Sequence, residues 1–206
     1  MSTTPLNEIK DKLKMGIKQS FELISSINQL IPKLQSDQVY LIYELSFLKI
    51  FLAWEYFLET SFILYMLGEK TENGYKPESY VKPKNEAHAY KIIKGGASFP
   101  GWLNLEFIRE KSELFFKDGD PFKSALYDDQ TIKNGLQMMK ITRNRIVHVS
   151  PESKEKFEGM LRNEFGYDKN ITSGKFLSDE VEKKTKKSYI DYFKEILLIA
   201  ADKIVR

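Results

Sequence analysis

Apolar residues recur at helical spacing along most of the chain, and a few prolines and glycines interrupt them. Over residues 6–32 they return every three or four positions, which predicts an amphipathic first helix that Pro32 ends or kinks. The stretch from Ser36 to Leu67 is apolar on nearly all sides, and Gly68 follows it as a helix stop. This second helix, roughly 45 Å long, is expected at the centre of the core or at a subunit interface.

The chain after the second helix begins with a long connection over residues 69–101, in which glycines and prolines break regular structure and a short helix is predicted at 84–94. Further helical segments are predicted at 102–116, 121–127, from Asp128 or Asp129 to about Val149, 152–165, and from Ser178 to about Val205. Residues 166–174 are predicted to form a loop or a short hairpin. The whole pattern predicts an all-α bundle of four to five main helices, in a single domain over residues 1–206.

The composition excludes several kinds of functional site. The chain has no cysteine, which excludes a disulfide scaffold, a cysteine-based zinc site and a thiol nucleophile. The only histidines are His88 and His148, so we expect no metal, and no motif indicates a cofactor. The net charge of +3 is too small to indicate nucleic-acid binding by itself.

The sequence also predicts the cellular location of the protein. The N-terminus has no basic segment followed by an apolar one, so no signal peptide is predicted. The apolar second helix contains Lys49, Glu55 and Glu59, which would be costly in a bilayer. We therefore expect a cytoplasmic protein with no membrane partner.

Arg143 interrupts the apolar seam of the helix that ends near Val149. That seam consists of Ile132, Leu136, Met139, Ile146 and Val147. Arg143 falls in the gap of seven residues, within the same stripe at 100° per residue. An arginine there needs an anionic partner or a wet crevice. It could extend along its own stem to the surface, pair with Glu55 or Glu59, or bind a phosphate.

His148 lies in the last predicted turn of the same helix, where a histidine is either a structural cap or a functional group. Asn144, four residues earlier, is placed to hydrogen-bond the imidazole. Arg143 and His148 lie about 140° apart around an ideal helix and roughly 7.5 Å apart along it. A common site therefore requires a distorted helix end or a second chain, as in a twofold dimer.

The motif Arg143-Asn144-x-x-x-His148 resembles the signature of the HEPN superfamily, in which an arginine, often followed by a polar residue, precedes a histidine by four to six residues. The segment Ala53-Trp54-Glu55-Tyr56-Phe57-Leu58-Glu59 also resembles the Trp-Glu-aromatic helix of stand-alone prokaryotic HEPN proteins. The resemblance covers residues 6–205.

The resemblance implies a HEPN-like bundle and metal-independent RNA cleavage by a homodimer. Such proteins are often toxins or anti-phage effectors, with an antitoxin protein as a further partner. Arg143 would bind the scissile phosphate, His148 would act as general acid or base, and Asn144 would orient one of them. The alternative is a non-catalytic HEPN-like module that binds a nucleotide or a protein.

Overall fold

The computed structural model describes residues 4–28, 34–95 and 101–206, and these residues are predominantly helical. The α-helices are α1 (Pro5–Asn28), α2 (Ser36–Leu67), α3 (Glu86–Lys94), α4 (Leu105–Phe115), α5 (Gln130–Val147), α6 (Pro151–Phe165), α7 (Ser173–Asp179) and α8 (Tyr189–Ile204). In the described ranges the β-type pairings are two isolated bridges, Ser79 with Phe116 and Val181 with Ser188. The all-α prediction is therefore confirmed, and α1, α2, α5, α6 and α8 are its main helices.

Several helix ends lie where local signals predict them. Helix α2 has the predicted bounds, and Gly68 follows it with a φ of +94°. Asp129 caps α5, since its Oδ1 accepts hydrogen bonds from the amides of the second and third helical residues. Ser150 is extended immediately before Pro151, so α5 and α6 are separate helices. The predicted effect of Pro32 lies outside the described residues.

The predicted start of the last helix at Ser178 is wrong. Ser178 lies in the short helix α7, which the sequence analysis did not predict, and α8 begins eleven residues after Ser178, at Tyr189. Between them the carboxylate of Glu182 accepts hydrogen bonds from the amides of Lys184 and Thr185. These amides are satisfied in a turn, so the helix does not continue, and Ser188 caps α8 instead.

The described chain forms two compact units. Unit 1 comprises Met1–Met15, Ala53–Lys133 and Leu197–Arg206, and unit 2 comprises Gly16–Leu52 and Asn134–Ile196. In unit 1, Phe62 of α2 is the centre of an aromatic cluster. Its ring lies 4.7–6.2 Å from those of Trp102, Phe115, Phe116 and Phe122. The single-domain prediction is not tested by this division and stays a prediction.

The core of unit 2 holds α5 and α6 in place. Phe176 of α7 stacks on Tyr189 at 4.1 Å between ring centroids and meets Phe157 of α6 edge-on at 5.7 Å. Gly135 of α5 lies against Ile196 of α8 so closely that a Cβ would come within 3.0 Å of that side chain. These contacts fix one side of α5 and α6 and leave the opposite side of each helix to solvent.

Among the described residues, α2 is the helix long and apolar enough to cross a membrane, and 56% of its most apolar stretch is buried within the protein. A core helix of a soluble protein has the same properties. Its burial, with Phe47, Phe57 and Phe62 fully enclosed, agrees with the predicted place of α2 in the core.

Candidate functional site

The connection between α5 and α6 holds His148 by its backbone. The His148 amide donates to the Asn144 carbonyl at 2.9 Å, which continues the α5 hydrogen-bond pattern by one residue. The Ser153 hydroxyl donates to the His148 carbonyl, and the Ser150 hydroxyl accepts from the Ser153 amide at 3.2 Å. The imidazole itself is exposed. The main chain is therefore fixed on both sides of a histidine whose side chain is free to meet a ligand.

Asn144 and His148 line one hollow, which we call the α5–α6 hollow. Its volume is about 640 Å³, and its lining residues are Gln137, Lys140, Ile141, Asn144, His148, Ser150, Glu152, Ser153 and Lys156. A volume of this size suits a small ligand or part of a polymer. The structure thus brings together two of the three residues predicted from the motif.

Arg143 lies beside this hollow and is absent from its lining. It is half-buried, and its Nη1 donates to Asn144 Oδ1 at 3.2 Å. Asn144 therefore connects the arginine to the hollow that His148 lines. This contact orients the Asn144 amide, with its oxygen toward Arg143.

The predicted place of Arg143 on the core-facing seam needs correction. Thr142, its neighbour, is fully buried and occupies the core position in the gap, with its hydroxyl donating to the Met138 carbonyl at 2.9 Å. Arg143 lies on the flank of the seam. Beyond this point the seam ends, since Ile146 is half-buried and Val147 is 45% exposed.

One of the alternatives for Arg143 is a pairing with Glu55 or Glu59 of α2. The Oε2 of Glu59 accepts a hydrogen bond from the Trp102 indole at 2.6 Å, within unit 1. Arg143 donates a hydrogen bond to Asn144, its own neighbour in sequence. Partial exposure agrees with the alternative in which the stem is covered and the guanidinium reaches solvent.

Two lysines and one glutamate line the hollow. Lys156 pairs with Glu152 at 2.6 Å, and this hydrogen bond lowers the pKa of the Glu152 carboxyl. Lys140, which also lines the hollow, makes no ion pair with any of the described residues. The site therefore carries positive charge that its own acids do not balance, as an anionic ligand requires.

A second hollow of about 580 Å³ shares Gln137, Ile141 and Lys156 with the first. It is lined by Asn134, Gln137, Met138, Ile141, Lys156, Gly159, Met160, Asn163 and Glu164. The two hollows form one groove along α5 and α6, with amides on its walls and methionines at one end. The sequence analysis missed Gln137 and Ile141, although their spacing to Asn144 and His148 places all four on one face of a helix.

No protein-family model, curated protein or solved structure matches the chain. The HEPN resemblance therefore rests on the residues of the motif and of α2. The other histidine, His88, lies at the start of α3, where its Nδ1 accepts a hydrogen bond from the Lys84 amide at 3.0 Å. This structural contact sets it apart from His148.

Proposed function

We propose that this chain is a HEPN-type endoribonuclease that cleaves RNA without a metal ion. The observation that carries the proposal is that Asn144 and His148 line one basic hollow while Arg143 donates a hydrogen bond to Asn144. In phosphodiester cleavage by acid–base catalysis, an accessible imidazole can perform a proton transfer and an arginine can stabilise the charge that develops on the phosphate.

The proposed reaction is attack of the RNA 2′-oxygen on the adjacent phosphorus. The bond from phosphorus to the 5′-oxygen breaks, one proton leaves the 2′-hydroxyl, and one proton reaches the 5′-oxygen. The products are a 2′,3′-cyclic phosphate and a 5′-hydroxyl. His148 performs one of the proton transfers, and the guanidinium of Arg143 stabilises the charge that develops on the phosphate.

A homodimer supplies the second proton transfer in this proposal. The motif contains one histidine, and a twofold arrangement would place two copies of His148 around one cleft. The groove along α5 and α6 would bind the RNA strand, with Lys140 and Lys156 close to its phosphates. Binding should then weaken steeply as salt concentration rises.

The test is cleavage of a fluorescently labelled single-stranded RNA by the purified protein in the presence of EDTA. We expect His148→Ala to lower the rate by about 10²–10⁴-fold and Arg143→Ala by about 10²–10³-fold. His88→Ala and Arg109→Ala are matched controls that change the same residue types outside the motif. Full activity in the two motif variants would contradict the proposal.

A cellular test addresses the proposed role as a cytoplasmic toxin or defence effector. Expression of the wild type in bacteria should arrest growth and fragment RNA, and His148→Ala should do neither. A suppressor screen for co-expressed proteins that restore growth would then identify an antitoxin.

The second candidate is a non-catalytic module that binds a nucleotide in the same hollow. Its volume of about 640 Å³ is in the range of small-molecule sites, which favours this candidate over a protein ligand. Normal growth and intact RNA, together with nucleotide binding that Arg143→Ala abolishes, would support it instead of the ribonuclease.

A further inference from the structure

Helix α2 exposes a row of leucines on the part that belongs to unit 2. Leu41, Leu45 and Leu52 are 52%, 54% and 63% exposed, and Leu48 is half-buried. We call these four residues the leucine seam. Single exposed leucines are common on protein surfaces, but these four share one face of a helix, and contiguous exposed apolar patches mark interaction sites.

The spacing within the leucine seam is four, three and four residues, which is the a and d pattern of a coiled coil. The core does not impose this spacing, because these side chains face solvent. The pattern instead suits a partner helix with the same repeat, whose side chains would fit between the leucines.

Both edges of the leucine seam are fixed by neighbouring helices. On one edge, the Lys49 ammonium donates to Gln19 of α1 at 3.3 Å. On the other, Glu44 Oε1 accepts from the Ser173 hydroxyl at 2.5 Å and from the Gly174 amide of α7 at 2.9 Å. Lys49 and Glu44 therefore stand as opposite charges on the two edges, with the leucines between them.

We propose that the leucine seam binds the leucine seam of a second copy of this chain, with the two α2 helices parallel. In the heptad frame of the leucines, Glu44 occupies position g and Lys49 the following position e. In a parallel pair the g residue of one helix faces this e residue of the other, so Glu44 and Lys49 of two copies complement each other. A lipid surface fits less well, since both charges would enter its apolar layer with the leucines.

This inference goes beyond the proposed function and does not depend on it. The contact concerns α2, whereas the proposed chemistry concerns the α5–α6 hollow. A failure of RNA cleavage would leave the pairing of α2 untouched. A dimer that persists when the leucine seam is disrupted would contradict the pairing of α2 and leave the homodimer of the proposed function intact, whereas a protein that is monomeric at every concentration would contradict both.

The first test is the mass of the purified protein in solution, measured by light scattering over a range of concentrations. We expect the wild type to reach twice the chain mass of 24.1 kDa. The double variant Leu45→Glu, Leu52→Glu should stay at the chain mass and keep its helical circular dichroism. The matched control is Leu114→Glu on α4, where the leucine is 59% exposed, and it should dimerise like the wild type.

The second test uses the absence of native cysteines. Leu45→Cys should form a disulfide-linked dimer on mild oxidation, because parallel helices bring the two copies of position 45 together. Leu114→Cys should not.

A wild type that is monomeric at every concentration would overturn the proposal, as would a dimer that survives the double glutamate variant. Monomers that float with neutral phospholipid vesicles through the leucine seam would assign it to lipid instead, and a dimer without the Leu45→Cys cross-link would exclude the parallel arrangement.

Discussion

Gly174→Ala should destabilise the protein, because α7 touches the backbone of α2 at this glycine. A Cβ on Gly174 would lie 2.5 Å from both the Cβ and the carbonyl oxygen of Tyr40, far inside ordinary contact distance. Helix α7 would have to move by about 1 Å to restore van der Waals separation. That movement would stretch the hydrogen bonds that Ser173 and Gly174 donate to Glu44.

The size of the effect follows from three contributions. Overpacking against a backbone costs about 1–3 kcal/mol, and weakening hydrogen bonds to a carboxylate costs about 1 kcal/mol more. The better helix propensity of alanine offsets about 0.5–1 kcal/mol. The net loss in the free energy of unfolding is about 1–3.5 kcal/mol, which lowers the melting temperature by about 2–14 °C in a chain of this size.

The assay is thermal and urea unfolding followed by circular dichroism. Gly159→Ala is the matched control, since a Cβ there meets nothing within 4 Å and the residue lies within α6. It should raise the free energy of unfolding by about 0.5–1 kcal/mol. A Gly174→Ala variant with a melting temperature equal to or above that of the wild type would refute the reasoning about this contact.

Three further substitutions test other contacts by urea unfolding. Asp129→Ala removes the cap of α5 and should lower the free energy of unfolding by about 1 kcal/mol at neutral pH. The hydrogen bond from Lys203 lowers the pKa of Asp129, so this contribution to stability should be lost as the pH falls below the ordinary carboxyl value of 3.8. Tyr65→Phe removes a hydroxyl that donates to a carbonyl of α8 at 2.6 Å and should cost about 1–2 kcal/mol. Burial raises the pKa of Tyr65, so the wild type should lose stability above its ordinary value of 10.0, and the variant should lose less. Trp102→Phe deletes the donor to Glu59 and should cost about 1–3 kcal/mol, with a smaller loss if the carboxylate is also changed to glutamine.

Local signals predicted much of the fold. Helix α2 has its predicted bounds because apolar periodicity and Gly68 act within a few residues of its ends. The end of α5 before Pro151 follows from the same kind of signal. The start of α8 was missed because it depends on Glu182, whose carboxylate binds backbone amides in the preceding turn. Periodicity carries no information about such a contact.

For the candidate site too, the sequence predicts some features and not others. Asn144 and His148 share a hollow because residues four apart lie on one face, and this follows from sequence alone. Thr142, and not Arg143, occupies the buried position in the seam, and only the packing of α5 distinguishes these two neighbours. The contributions of Ser153 and Lys156 depend on how α6 returns along α5, which is a tertiary contact.

The residues that line the α5–α6 hollow are close together in the sequence, which bears on folding and on the effect of substitutions. All its lining residues lie between Gln137 and Lys156, in one helical hairpin with a connection of three residues. Contacts this close in sequence cost less chain entropy to close than a contact such as that between Tyr40 and Asp179, which are 139 positions apart. All the lining residues thus belong to one short segment of the chain. Substitutions within this segment can add or remove the functional groups of the hollow while the rest of the chain keeps its fold.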